Sequence, residues 1–188
     1  MATAPNTSLS VTEYLRLEEA ADFRSEYIDG QMVAMAGGTL NHALISSNLV
    51  GEFRNRLLVS DCKVFGSDMR IRTSPSGIYT YADAVVGCGR LEVVDNTLTN
   101  PVLIAEVLSD STEAYDRGRK FGWYRQIGSL RDYVLIDQKR TLIEHFRKER
   151  EGDWWMRDYG SLDAGVRIDS LEITIPASEI YRGVDLST

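Results

Sequence analysis

Two apolar, β-favouring runs each carry one carboxylate, and this pattern limits what the chain can fold into more than any other feature. The first run spans residues 78–86 and holds Asp83; the second spans 101–108 and holds Glu106. A carboxylate taken out of water without a partner is costly, so each must be protonated, paired or bound to a cation. Two such residues in neighbouring strands point to a site. Soon after the second run, residues 116–124 (Asp-Arg-Gly-Arg-Lys-Phe-Gly-Trp-Tyr) read as the start of a helix that supplies Lys120. Two carboxylates and a lysine are the groups that metal-dependent phosphodiester hydrolysis employs.

With 188 residues the chain suits one domain able to bury a sizeable core. No apolar run approaches the roughly 20 residues that span a bilayer. Residues 1–7 lack the basic start and apolar centre of a secretion signal. The expected organisation is a flexible tail over 1–9 and a single domain over 10–188. Cys62 and Cys88, with no CxxC pattern, offer no zinc site and fit a reducing, cytoplasmic setting. His42 and His145 are too few for a histidine-rich metal centre. A net charge of −7 argues against coating nucleic acid by charge alone, while leaving room for a nuclease with a local basic rim.

Along the chain, Ser10 and Glu13 bound a capping box, so a helix runs to about Ala20. Residues 24–28 read as a strand, Asp29-Gly30 as a two-residue hairpin turn, and 31–36 as the return strand. Ala43, Leu44, Leu49, Val50, Phe53, Leu57 and Leu58 recur at helical spacing and predict a long helix over 39–58. Residues 63–66 and 69–72 read as a broken strand with one wet, arginine-bearing face. A turn follows over 74–77, and 87–100 reads as a loop. A further helix enters through 109–112 and runs to about Ile127, stopping at Gly128. Strands are expected at 132–137 and 141–147, joined through 138–140, then at 153–159 and 171–175, before a short helix over 177–181. This order predicts one α/β domain with a central mixed sheet flanked by helices.

A hard cation such as Mg²⁺ takes oxygen ligands. Asp83, Glu106 and the main-chain oxygen of Val107 would supply them, and Lys120 would hold the attacking water or offset transition-state charge. At about 3.6 residues per turn, Asp116, Lys120 and Tyr124 share one helix face. The competing reading makes Asp83 and Glu106 structural acids, each bonded to a buried arginine or to backbone amides, and the pattern alone leaves both open. Taken singly, Lys120 reads as a solvated residue among Arg117, Arg119 and Arg125. Glu26 reads as an exposed strand carboxylate, His42 as a surface or first-turn histidine, and Trp123 and Tyr124 as core. Lys139, Arg140, Arg147, Lys148 and Arg150 read as a solvated hairpin.

The order and spacing of several short motifs resemble a known family. They are Ser-Glu-Tyr-Ile-Asp-Gly (25–30), Phe-Gly-Ser-Asp (65–68), Ala-Asp-Ala-Val-Val (82–86), Ala-Glu-Val-Leu-Ser-Asp-Ser-Thr (105–112), Asp-x-x-x-Lys-Phe-x-x-Tyr (116–124) and Asp-Tyr-Val-Leu-Ile-Asp (132–137). Together they resemble the Uma-two family of proposed restriction endonucleases, within the PD-(D/E)XK nuclease superfamily, over about residues 10–180. The resemblance implies a restriction-endonuclease-like fold with its site at one sheet edge. It implies that Asp83 is the aspartate of the PD element and Glu106 the acid of the second element. Leu108 stands where the superfamily lysine normally sits, and the resemblance implies that Lys120 on the next helix replaces it. Glu26 matches a family acid that adds a metal contact. Ala82 and Asp110 stand where the family has prolines, and Val134 where it has tryptophan. The function expected is Mg²⁺-dependent cleavage of DNA by metal-activated water, with Mn²⁺ as a substitute ion and a homodimer as a common cutting unit. The rival expectation is an inactive nuclease fold kept for binding DNA or a protein.

Overall fold

The computed structural model describes residues 8–35, 37–73 and 77–186. Residues 1–7 of the tail expected over 1–9, the end of the return strand at Ala36 and most of the turn at 74–77 lie outside the described residues; Leu9, within that tail, donates its N–H to the Gly30 carbonyl at 2.8 Å.

Helix α1 (Val11–Ala20) opens with the expected capping box: the Glu13 N–H donates to the Ser10 hydroxyl at 3.2 Å, and the Ser10 N–H to the Glu13 carboxylate at 3.0 Å. Strands β1 (Ser25–Ile28) and β2 (Gln31–Ala34) pair through Asp29-Gly30. Both turn residues take positive φ, 49° and 84°, as a tight hairpin turn of this hand requires. Helix α2 (Leu40–Arg56) is capped by Thr39. Then come β3 (Lys63–Gly66), β4 (Arg70–Arg72), β5 (Tyr79–Tyr81), β6 (Ala84–Gly87), β7 (Val93–Val94), β8 (Thr97–Leu98) and β9 (Leu103–Leu108). Next is a helical stretch in three parts: α3 (Glu113–Tyr115), a π-helical turn (Asp116–Lys120) and α4 (Phe121–Tyr124). Strands β10 (Asp132–Asp137), β11 (Ile143–Lys148), β12 (Trp154–Tyr159), β13 (Gly165–Ile168) and β14 (Ile173–Pro176) follow, and helix α5 (Ala177–Ile180) comes last.

The α/β class is as expected, and the strands divide between two mixed sheets. One has the order β2-β1-β5-β4-β8-β7, the other β12-β11-β10-β9-β6-β3, and β13-β14 form a separate ribbon. The second sheet lies at the centre. On one face, Ala84, Leu103, Ala105 and Val134 meet Ile45, Leu49 and Phe53 of α2 and the apolar side of the β13-β14 ribbon. On the other, Val85, Ile104, Tyr133 and Leu135 meet Tyr124 of α4 and, from the first sheet, Ile71 and Leu98. Alternation along β9 thus sends Leu103, Ala105 and Val107 one way and Ile104, Glu106 and Leu108 the other. Burial on both faces is why these strands read as unbroken apolar runs. Each large aliphatic side chain so buried contributes about 1.5–3 kcal/mol.

Several expectations change at this level. The run 78–86 is two strands: β5 belongs to the first sheet, β6 to the second, and Asp83 sits at the joint where the chain changes sheets. Ala84 pairs with Ala105, so a continued ladder would set Ala82 opposite Val107. Instead the Asp83 carboxylate takes the Val107 N–H at 2.7 Å. The segment 87–100 contains the β7-β8 hairpin, turned at Asp95 and Asn96 with φ 48° and 55°. That hairpin covers β4, so Arg70 is buried rather than wet: it donates to the Thr97 hydroxyl at 2.8 Å and the Asp95 carbonyl at 2.6 Å. The helix expected to reach Ile127 leaves helical geometry after Tyr124. The strand expected over 171–175 is shifted to β14, and its partner β13 was not anticipated. Finally, Cys62 and Cys88, whose number and spacing were read as fitting a reducing setting, form a disulfide that ties the approach to β3 to the end of β6. Among the described residues no helix is long and apolar enough to cross a membrane.

Candidate functional site

A cleft of ≈ 430 Å³ opens where the two sheets, α2 and the π-helical turn come together. Asp83, Glu106, Lys120 and Glu26 all line it, as does the Val107 segment. The four side chains anticipated from the sequence are therefore brought together, and no arginine is bonded to Asp83 or Glu106 among the described contacts. Asp116 and His42, which were not proposed as site residues, line it too.

Lys120 is the hub. Its ammonium lies 3.1 Å from Glu106 Oε1, 3.1 Å from Glu26 Oε1 and 3.6 Å from Asp116 Oδ1, and it donates to the Tyr81 carbonyl at 2.9 Å. It is buried, not the solvated helix residue that its neighbours suggest. The shared face of Asp116, Lys120 and Tyr124 is real, but a π-helical turn rather than a regular helix delivers it, a feature often found at functional sites. Glu26 is also buried. It accepts from the Tyr81 N–H at 3.3 Å and from the Tyr115 hydroxyl at 2.8 Å, so it is not an exposed strand carboxylate. Its strand is braced from behind by α1: Glu18 accepts from the Ser25 N–H at 3.0 Å and from the Tyr81 hydroxyl at 2.7 Å. Tyr124 is core, as expected, yet its hydroxyl also reaches Glu106 Oε1 at 3.0 Å.

Asp83 stands apart from Lys120 and faces α2. His42 Nε2 lies 3.4 Å from Asp83 Oδ2. The His42 ring packs against Gly38, where a Cβ would come within 2.8 Å of it. Leu108, at the position of the usual superfamily lysine, is packed in the core beneath the helical stretch. Asp110 is exposed and pairs with Lys139, away from the cleft acids. Val134 is core.

The electrostatics follow from crowding and burial. Burial pushes Glu106 well above the usual carboxylate range; Asp116 and Asp83 add to this, and Lys120 opposes it. Asp116 is raised as well, again chiefly by burial. For Lys120 burial acts downward, but Glu106, Glu26 and Asp116 outweigh it and hold the ammonium charged. His42 is raised by its hydrogen bond to Asp83, against the downward pull of burial. Four carboxyl groups thus face one ammonium and one imidazole; fully ionised, they would carry an excess of negative charge that a divalent cation would offset. The donors are oxygens apart from His42, which is the chemistry of a Mg²⁺ or Mn²⁺ ligand set, and the residues fit such an ion. The acids are spread around Lys120 rather than drawn to a point. Among the described residues, three or more acidic, histidine or cysteine donors come within 4.8 Å of one another only at Asp61, Cys62 and Cys88, whose sulfurs are bonded together.

Two of the residues not anticipated left weak traces in the sequence. Asp116 lies one turn before Lys120 on a face already identified. His42 follows a Gly-Gly pair and a Thr N-cap, the kind of helix entry that brings a side chain to the mouth of a cleft.

Comparison with known proteins bears on the fold and the family. A crystal structure of a "putative nuclease belonging to DUF820" from Anabaena variabilis ATCC 29413 superposes with a TM-score of 0.75. The match covers 92% of this chain and 97% of that one at 19% identity, so it speaks to the fold, which is restriction-endonuclease-like. Two uncharacterized proteins of Synechocystis sp. (strain ATCC 27184 / PCC 6803 / Kazusa) are similar over nearly their whole length. One is 39% identical, covering 97% of this chain and 96% of its own. The other is 35% identical, covering 92% and 99%. The pattern of the Uma2 family, described as "Putative restriction endonuclease", matches residues 11–178, and the chain belongs to that family.

Proposed function

We propose that this protein is a Mg²⁺-dependent endodeoxyribonuclease, able to use Mn²⁺, that hydrolyses phosphodiester bonds in DNA. The observation that carries the reading is the meeting of Asp83, Glu106 and Lys120, from three separate elements, in one cleft. Asp83, Glu106 and the main-chain oxygen of Val107 would hold the ion, with Glu26 completing the donor set beyond Lys120. A bound divalent ion supplies a water of lowered pKa and polarises the scissile phosphate. Lys120, kept cationic by its three acids, orients that water and offsets charge gathering on the phosphate oxygens. His42 holds the Asp83 carboxylate in place. Tyr124 fixes Glu106 from beneath.

Incubation of supercoiled plasmid with the pure protein and Mg²⁺ or Mn²⁺ tests this directly. The parent should nick or linearise the plasmid, and Asp83→Ala should not. Equal nicking by both proteins, or no cleavage of any DNA form with either ion, would end the reading. One observation favours a second reading, a nuclease fold kept for binding DNA or a protein: Glu106 already holds both Lys120 and Tyr124 at 3.1 and 3.0 Å. Calorimetric titration separates the two. An active site takes up Mg²⁺, and Glu106→Gln weakens that uptake.

A further inference from the structure

The cleft has two unlike walls. The acids and Lys120 form one. The other runs along the β1-β2 hairpin from beside its turn to its open end, where Ile28, Val33 and Met35 line the cavity. Val33, on the edge strand β2, is 45% exposed, and Met35, just after it, is 40% exposed. Tyr115 adds an aromatic ring at the same mouth, its hydroxyl anchored on Glu26.

On the nuclease reading above, we infer that this apolar wall receives the base of an unpaired nucleotide whose phosphate lies at the acids, so that the substrate class is single-stranded or locally unpaired DNA. Three features support this. First, a volume of ≈ 430 Å³ lies within the roughly 300–1,000 Å³ of pockets that enclose small molecules, which suits one nucleotide. Second, a stacked, paired duplex offers no apolar base face to a side wall, whereas an unpaired base does. Third, a protein that grips duplex DNA by its two phosphate strands needs many cations. The cleft is lined by Lys120, a single charge placed among carboxylates, and Arg119, paired with Asp29 at 3.2 Å, too few cations to grip two strands. Contact between base and apolar wall therefore supplies affinity that charge does not. Met35 adds a polarisable thioether suited to an aromatic face.

Fluorescence anisotropy with end-labelled oligonucleotides tests the inference without relying on cleavage, with Ca²⁺ as the only divalent ion. A single strand should bind at least about tenfold tighter than the blunt duplex of the same sequence. Val33→Ser with Met35→Ser, both at exposed positions, should remove most of that difference while Tm and Ca²⁺ affinity stay at parental values. Duplex bound as tightly as single strand, or an unchanged preference in the double variant, would overturn the inference. The two proposals fail separately. Metal-dependent cleavage that ignores pairing state overturns the wall's role and leaves the nuclease intact. A binding preference that tracks Val33 and Met35, in a protein that cuts nothing, upholds the wall and removes the nuclease.

Discussion

Two acidic clusters are built into the central sheet, and they are treated in opposite ways. At the N-terminal end of β10, Asp132 is fully buried and bonded on both oxygens, to His145 Nε2 at 2.6 Å and to the Ser170 hydroxyl. This cluster is closed: one acid, fully buried, bonded to two partners. It ties the turn between β13 and β14 to the sheet. Toward the C-terminal end of β9, Glu106 shares one lysine with two other acids, with a fourth acid close by, and the group opens into a cleft. Burial of an acid by itself therefore says little about function. An excess of acids over cations, combined with access from solvent, is what separates a reaction centre from a structural pair.

The comparison can be broken most sharply at Glu106. Glu106→Gln should lower plasmid cleavage by about 10³-fold, equivalent to about 4 kcal/mol of lost transition-state stabilisation, with little loss of Tm. Asp132→Ala should do the reverse. It leaves a buried imidazole and hydroxyl without their acceptor, so chemical denaturation should show a loss of about 3 kcal/mol. Cleavage per folded molecule should be unchanged. If Asp132→Ala removes activity from well-folded protein, the contrast between the clusters is wrong. His42→Ala should fall between these effects, with a loss of about 10–100-fold in Mg²⁺ affinity or rate and a parental Tm, since it supports a ligand rather than acting as one.

The smallest expected effect concerns protons. Glu106 and Asp116 are raised in the folded state, so they bind protons at pH values where the unfolded chain has released them. Their contribution to stability is full below the ordinary carboxylate range and is lost as pH rises through the raised values. Metal-free protein should accordingly lose stability from this source on going from acid toward neutral pH, and Mg²⁺ should restore it. Because the ion must displace those protons, its apparent affinity should rise with pH, by up to about tenfold per pH unit for each proton released. Calorimetry in buffers of different ionisation enthalpy counts the protons directly. No release would mean that the cleft acids are no more loaded than the closed cluster.

Much of this was legible in the residues because the signals are local or periodic. The capping box at Ser10, the Asp29-Gly30 turn and the apolar runs carrying Asp83 and Glu106 each follow from backbone chemistry within a few residues. What escaped depends on partners distant in the chain. Asp83 looks mid-strand because the apolar pattern is the same on both sides of it; only the presence of two sheets forces a joint there. Arg70 looks wet until a hairpin more than twenty residues later covers it. Glu26 looks exposed until Lys120 and Tyr115 arrive from the helical stretch. His42 occupies an ordinary first-turn position and is drawn into the site only by the packing of α2. The disulfide has no local signature, since the approach to β3 and the end of β6 become neighbours only in the folded sheet.

The five-residue turn at Asp116–Lys120 carries a consequence for variants of this protein. A π-helical turn holds one residue more than the α-helix would use over the same rise. Deleting a single residue there would let the segment regularise without shortening the path between β9 and β10. The flanking helical segments would keep their facing, and the change would fall on the side chains inside the turn. Lys120 would then follow Asp116 at a spacing of three instead of four, and its ammonium would be displaced from the midpoint between Glu106 and Glu26 that it now holds. Insertions and deletions in this one turn are thus a second route, beside substitution of the acids, by which a relative could keep the architecture and lose the arrangement around Lys120.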